Sequence, residues 1–537
     1  MEHGEVFTRR WVVDLILDLV GYTSDKPLCD LKLVEPACGS GAFLGAVASR
    51  ISASCREQNR PIGDAHGAVR ALDLLERNVR KSRQVVEKQL IDDGWHPADA
   101  QQVATSWVEQ GDYLLQPEAT QLTDYVVGNP PYIRLEDVPA GRMAVYRHAW
   151  PTMGGRADIY VGFFEAALRS LGPGGQLGFI CADRWMRNQY GRRLRQLVTK
   201  SFSMDLALVM HDVDAFDDQV SAYPAITLIS KRLQGIAVAA DTTRAFGAPQ
   251  AAEFVGWYAR ARTEAVSTDA YQAARMPHWF PDEDSWPSAS PARLAVLEQL
   301  TERFQLLEND GTGTRVGIGI ATGADKIFLT NDDKLIEDDR LLPMAMVRDT
   351  TSGALNWNGT YLVNPWTASG DLIDLAAYPR LAKYLDEHGA ALRKRYVAVK
   401  QPHRWYKTID KVDSALARRP KLLFPDMKLT IHPVLDEGGL YPHHNLYFIV
   451  SDVWDMRVLG GLLLSKIAEA FVEAYAVKMR GGTLRFQAQY LRKIRVPDPA
   501  AINERDRDAL ATAFDKRDVK AATEAALRVY GLAELPD

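Results

Sequence analysis

The chain has 537 residues, 47% of them hydrophobic and 25% charged, with a net charge of −5. That is the composition of a soluble globular protein too long for one core, so two large domains are expected. No apolar run is long enough to span a bilayer and no basic, then apolar, leader opens the chain, which argues against membrane and secreted classes. Four scattered cysteines (Cys29, Cys38, Cys55, Cys181) form no CxxC pair, so neither a disulfide framework nor a zinc site is expected and a cytoplasmic setting fits.

Residues 11–20 (WVVDLILDLV) carry apolar positions at helical spacing. LKLVEPACGSGAF (31–43) then reads as a short buried strand, a turn of small residues and a helix start, the recipe for a ligand held at strand carboxyl ends. Gly39 and Gly41 permit a tight turn and close backbone approach. The pattern is not GxGxxG, and the carboxylate of Glu35 stands just before the turn. It therefore suits a cationic headgroup better than a pyrophosphate. Val69–Asp73 reads as a second strand. Asp73 at its end is placed for a ribose hydroxyl pair, or alternatively as a helix N-cap. Asp112, in Gly111-Asp112-Tyr113-Leu114, can accept from an adenine amino group or be an ordinary turn aspartate.

Tyr125-Val126-Val127 is a third short apolar run, stopped by Gly128-Asn129-Pro130-Pro131-Tyr132. QLGFICA (176–182) and AITLIS (225–230) read as further buried strands. Strands alternating with helical stretches predict an open, mostly parallel α/β sheet with helices on both faces over residues 1–235. Residues 236–314 are irregular and Trp- and Pro-containing, and read as a connecting region. Residues 315–502 form a second unit of mixed helix and strand, and 503–537 a terminal helical segment.

Asn129-Pro130-Pro131-Tyr132 is the sharpest signal. Two prolines fix the backbone and remove two donors, leaving nearby carbonyls pointing outward. The Asn129 side-chain carbonyl and the Pro130 carbonyl can together accept both hydrogens of an amino group. That favours a tetrahedral nitrogen whose lone pair is aimed at an electrophile. Asn129 is no general base, so the nitrogen loses its proton only after it has reacted. Tyr132 offers a flat face on which a base can stack, worth about 1–3 kcal/mol.

Residues 391–430 hold eleven basic against three acidic side chains, +8 in an acidic protein, interleaved with Tyr396, Trp405 and Tyr406. Arg393, Lys394, Arg395, Lys400, Arg404, Trp405 and Lys407 are the candidate nucleic-acid contacts here, with Arg480, Arg485 and Gln487 in a second cluster. The alternative is a solvated helix face. His403, His443 and His444 lack partner ligands at metal spacing in the sequence, so core or groove roles are expected and no metal site is assigned.

Gly4-Glu5-Val6-Phe7-Thr8, Glu35 to Phe43, Asp73, Asp112 and Asn129 to Tyr132 together resemble the N6-adenine DNA methyltransferases of restriction–modification systems. The order of motifs is similar to the TaqI-like gamma group, whose recognition domain follows the catalytic one. The resemblance covers residues 1 to about 235. It implies a Rossmann-like seven-stranded methyltransferase sheet and S-adenosyl-L-methionine as cofactor. Thr8, Glu35, Ala37, Cys38, Gly39 and Gly41 would then contact the cofactor, Asp73 its ribose and Asp112 its adenine. Asn129, Pro130 and Tyr132 would hold a target adenine flipped from the duplex, with Phe216 (or Tyr223) as the second aromatic. Arg9 departs from the pattern, which has proline after the threonine. The resemblance further implies double-stranded DNA as partner, a target-recognition domain at 315–502, a monomer acting on DNA and a separate cognate endonuclease. No nuclease is expected in this chain, because the first cofactor segment begins at residue 4. Two other readings remain: a release-factor type glutamine methylase, which uses the same tetrapeptide but leaves the basic second half unexplained, and a catalytically silent DNA-binding subunit.

Overall fold

The computed structural model describes residues 8–116, 122–133, 135–217, 224–260, 264–281, 285–476 and 484–536. The chain divides into two compact units, residues 1–298 and 299–536.

The first unit is built on one sheet. Its strands are β1 (Leu33–Glu35), β2 (Val69–Asp73), β3 (Val108–Gln110), β4 (Thr123–Gly128), β5 (Leu171–Ala182), β6 (Ser203–Val209), β7 (Pro224–Ser230), β8 (Ala237–Thr242), β9 (Ala265–Ser267) and β10 (Tyr271–Met276), in the order β3-β2-β1-β4-β5-β7-β6-β8-β10-β9. The pairs from β3 through to β5 are all parallel. β7 inserts antiparallel between β5 and β6. The expected seven strands are thus present as β1–β7, and β8–β10 extend the sheet beyond β6. Those three strands fall within the stretch 236–314 that reads from sequence as irregular. β8 (AVAADT) and β10 (YQAARM) are rich in alanine, which is depleted in strands and gives little signal of one.

The helices are α1 (Arg10–Leu19), α2 (Ala42–Glu57), α3 (Glu76–Asp92), α4 (Pro97–Trp107), α5 (Ala140–Ala149), α6 (Tyr160–Ser170), α7 (Arg192–Ser201) and α8 (Ala248–Arg260). Successive strand residues point to opposite faces, and the two cores follow that alternation. Tyr125 and Val127 of β4 join Ile180, Leu206 and Leu208 under α1–α4 and α8, whereas Val126 joins Leu177, Phe179 and Ala207 under α5–α7. A sheet buried on both faces explains why its central strands read as continuous apolar runs. Chain order leaves β1 toward β2 and β3 on one side and toward β4 and β5 on the other. The carboxyl ends of β1 and β4 therefore flank a topological switch point, where open α/β sheets bind ligands.

In the second unit, strands Arg315–Ile318, Leu446–Val450, Lys421–Pro425 and Val434–Asp436 form one four-stranded sheet. Leu329–Thr330, Tyr361–Val363, Leu341–Ala345 and Tyr441–Pro442 form another. They share a core that includes Phe328, Met344, Leu381, Leu423 and Phe448. Helices Glu504–Asp515 and Val519–Tyr530 close the unit. They belong to the same compact body as residues 315–502: a Cβ on Gly460 or Gly461 of helix Met456–Leu464 would meet Phe514 and Leu510 within 2.6 Å. Among the described residues, no helix is long and apolar enough to cross a membrane.

Candidate active site

An open cavity lies at the switch point. Thr8, Glu35, Ala37, Cys38, Gly39, Asp73, Asp112 and Asn129 all border it, although up to 121 residues separate them in sequence. Neighbouring parallel strands bring the two chemical ends together. Glu35 closes β1 and Asn129 follows β4, and a Cβ on Gly128 would lie 3.5 Å from Pro36 and 3.7 Å from the Glu35 side chain.

Glu35 is 1% exposed, and its Oε2 has no hydrogen-bond partner among the described residues. Burial, and secondarily the negative charge of Asp73, push its carboxyl well above the usual carboxylate range. A buried carboxylate with one open oxygen is costly alone and is relieved by a cation. This fits the cationic headgroup of S-adenosyl-L-methionine.

Gly39 turns the chain with φ +53° and donates its N–H to Asp73 Oδ2 at 3.0 Å. The other Asp73 oxygen accepts from Leu75 N (2.9 Å) and the Asn78 amide (3.1 Å). Asp73 does not cap α3, whose N-cap is Leu75. It ties two strand-end loops together. Asp112 Oδ1 accepts from Leu114 N at 3.2 Å and Oδ2 from the Tyr146 hydroxyl at 2.5 Å.

Gly41 stands apart from the other glycine. It does not border the cavity. With φ +92° it begins α2, and a Cβ there would meet the Ser82 backbone of α3 at 3.1 Å. That close approach allows tight helix packing.

Asn129 donates from Nδ2 to Thr8 Oγ1 at 3.2 Å. Pro131 and Ile133 border the cavity; Pro130 and Tyr132 do not. The Tyr132 hydroxyl is buried without a hydrogen bond among the described residues, and burial, with Cys181 nearby, raises its pKa. Tyr132 meets Phe216 with ring centroids 6.4 Å apart and planes at 80°. The two predicted base-holding aromatics are brought together, edge to face rather than as parallel plates. Tyr223 lies outside the described residues.

Several cavity residues carry no sequence signal. Asn78 and Tyr146 bond Asp73 and Asp112, and Tyr113 stacks on Phe163 at 5.6 Å. Asn78, Tyr146 and Phe163 sit on helices where their spacing shows only a buried face. Tyr113 directly follows Asp112 and was the one within reach of motif reading.

In the second unit the basic stretch divides by environment. Arg393, Lys394 and Lys400 are exposed. Arg393 lies over the Trp405 ring at 3.9 Å and Lys400 over Tyr396 at 4.8 Å. Arg404 stands 5.8 Å from the Trp366 ring, and Lys407 donates to Gln401. Arg395, expected to contact nucleic acid, instead donates to the carbonyls of Leu392, Thr322, Trp405 and Lys407. Those bonds take four of its five N–H donors, so it braces the segment. Lys421 is also inside: it is fully buried and pairs with Asp436 at 2.7 Å. Arg485 pairs with Asp426 at 2.5 Å, and the Gln487 amide, in the orientation that satisfies both its ends, accepts from Arg485 at 3.0 Å. Arg480 lies outside the described residues. His403 is exposed. Folding gives His443 a carboxylate that its sequence neighbourhood lacks: its Nε2 lies 3.1 Å from Asp325 Oδ2.

The geometry is that of a methyltransferase sheet with a ligand cavity beside an NPPY turn. Comparison with known proteins makes this specific. The Eco57I restriction-modification methylase family matches residues 65–216. The chain is 43% identical to the type II methyltransferase M.PaeR7I of Pseudomonas aeruginosa over 98% of this chain and 92% of that one. It is 41% identical to M.XhoI of Xanthomonas vasicola, covering 99% and 98%, and 37% identical to M.BstVI of Geobacillus stearothermophilus, covering 95% and 92%. The chain belongs to the type II methyltransferases, and is a DNA methyltransferase of a restriction–modification system.

Proposed function

We propose that the enzyme transfers methyl from S-adenosyl-L-methionine to the N6 amino group of an adenine flipped out of duplex DNA. The single observation that carries this reading is the convergence of Glu35 and Asn129, from adjacent strands, on one cavity. Thr8, Glu35, Ala37, Cys38, Gly39, Asp73 and Asp112 would hold the cofactor, which when bound supplies an electrophilic sulfonium methyl. The Asn129 and Pro130 carbonyls would accept the two amino hydrogens and turn the nitrogen lone pair toward the cavity. Tyr132 and Phe216 would clasp the extruded ring, exchanging their edge-to-face contact for stacking on the base. Flipping costs a few kcal/mol. Phosphate and stacking contacts from Arg393, Lys394, Lys400, Arg404, Trp405 and Lys407 would repay it, with Arg485 and Gln487 as candidate base readers. Residues 1–298 would thus be the catalytic part and 299–536 the recognition part, with a separate endonuclease cutting the unmodified site.

The test is to methylate duplex DNA with methyl-deuterated cofactor and to analyse the nucleosides by mass spectrometry. Labelled N6-methyladenine is expected. Label confined to cytosine would overturn the adenine assignment.

A further inference from the structure

The residue that departs from the family pattern does something proline could not. Arg9 donates its backbone N–H to Ala215 O at 3.1 Å. Its Nε donates to Phe216 O at 3.0 Å, and its Nη2 to Asp214 Oδ2 at 2.6 Å. Three donors of one residue thus grip three consecutive positions of the segment after β6. The preceding residue works on the other side: Thr8 pairs with Phe216 in an antiparallel bridge while its hydroxyl accepts from Asn129. A single dipeptide sets the Phe216 backbone against the Asn129 turn. Proline at position 9 would remove the N–H donor outright, and both guanidinium bonds with it.

We propose that Arg9 is a positioning residue for methyl transfer, holding Phe216 in register with Tyr132 and Asn129 so that the target base is clasped. The inference rests on the reading of Phe216 as a base-stacking residue. Arg9 touches neither cofactor nor base in this account; it acts through the 214–216 segment. Because the ion pair to Asp214 is exposed (40% and 78%), its share is small. The Nε bond to the Phe216 carbonyl carries the side-chain effect, while the backbone N–H to Ala215 is kept by any residue except proline.

The test is a double-mutant cycle on single-turnover methylation with saturating DNA and cofactor, using Arg9→Ala, Phe216→Ala and the pair. Phe216→Ala is expected to slow transfer by about 10- to 100-fold, the scale of one lost stacking surface. Arg9→Ala is expected to slow it by about 10-fold in the wild-type background and by less than about 2-fold once Phe216 is alanine. Arg9→Lys, which can reach Asp214 but lacks the Nε donor, should fall between. Cofactor Kd, measured by titration, should stay within about 3-fold for Arg9→Ala, separating positioning from misfolding. Equal factors in both backgrounds, or no effect of Arg9→Ala alone, would overturn the role of Arg9 while leaving Phe216 intact. A Phe216→Ala enzyme as fast as wild type would instead overturn the stacking assignment, and the proposal with it.

Discussion

The two units reward sequence reading differently. In residues 1–298 most of the residues picked out by motif border one cavity, with Gly41, Pro130, Tyr132 and Phe216 outside its lining. In residues 299–536 those picked out by charge scatter between surface and interior. Arg393 and Lys400 are exposed, Arg395 is consumed by backbone carbonyls and Lys421 is buried on Asp436. A strand–turn motif fixes both position and direction, because the sheet aligns all strand ends at one edge of the layer. A run of basic residues fixes neither.

The largest expected effect tests the inward half of that contrast. Lys421→Ala should destabilise the second unit by about 3–5 kcal/mol, because it strands Asp436 in the interior. Urea unfolding should show the loss, and a Lys421→Met/Asp436→Leu pair should recover most of it. A Lys421→Ala protein of wild-type stability would mean that charge counting had been a fair guide after all.

Next is the catalytic turn. Asn129→Ala should slow methyl transfer by about 10²–10³-fold, the cost of removing one polar group from a pre-organised site, with cofactor affinity largely kept. Single-turnover assays and cofactor titration separate the two. A near-normal rate would remove Asn129 from the chemistry.

A pH effect follows from Glu35. Its carboxyl is held above the ordinary range by burial, and pairing with a bound cation favours the ionised form, so binding releases a proton. Cofactor affinity should therefore rise with pH, by up to about tenfold per unit, between the carboxyl's pKa in the complex and its raised pKa in the free protein. Above the latter it should level off. Calorimetry in buffers of different ionisation enthalpy measures the released proton. Glu35→Gln should abolish the slope, and a slope that persists would place the titrating group elsewhere.

The smallest effects belong to the exposed half of the basic stretch. Arg393→Ala and Lys400→Ala should each weaken DNA binding a few-fold, uniformly across sequences, and lower the slope of log K against log salt by about 1. Arg395→Ala should instead register in stability, since its bonds are internal. Reversal of these two outcomes would erase the distinction drawn between the units.

What was legible follows the same division. Glu35, Gly39, Asp73 and Asn129 announce themselves because a strand, a turn and a helix start must follow one another within a few residues. Gly41 was legible as a glycine that the fold needs, but its partner Ser82 lies 41 residues on, and only packing shows how closely it approaches α3. Asp73 was open between ribose and helix cap; Leu75 takes the N-cap position of α3, and the Asp73 carboxylate joins two loops. Tyr146 and Phe163 were hidden because helical spacing reports burial, not what a buried ring touches. Strands β8 and β10 escaped because alanine gives little strand signal, although most of their residues are buried where β8 pairs with β6 and β10 with β8.

Both outermost strands of the large sheet, β3 and β9, are only three residues long. A strand margin that brief offers few unpaired backbone groups as a template for another chain. A protein that must work at scattered chromosomal sites thereby has its broadest β surface finished off at each border, with little to encourage stacking of one molecule onto the next.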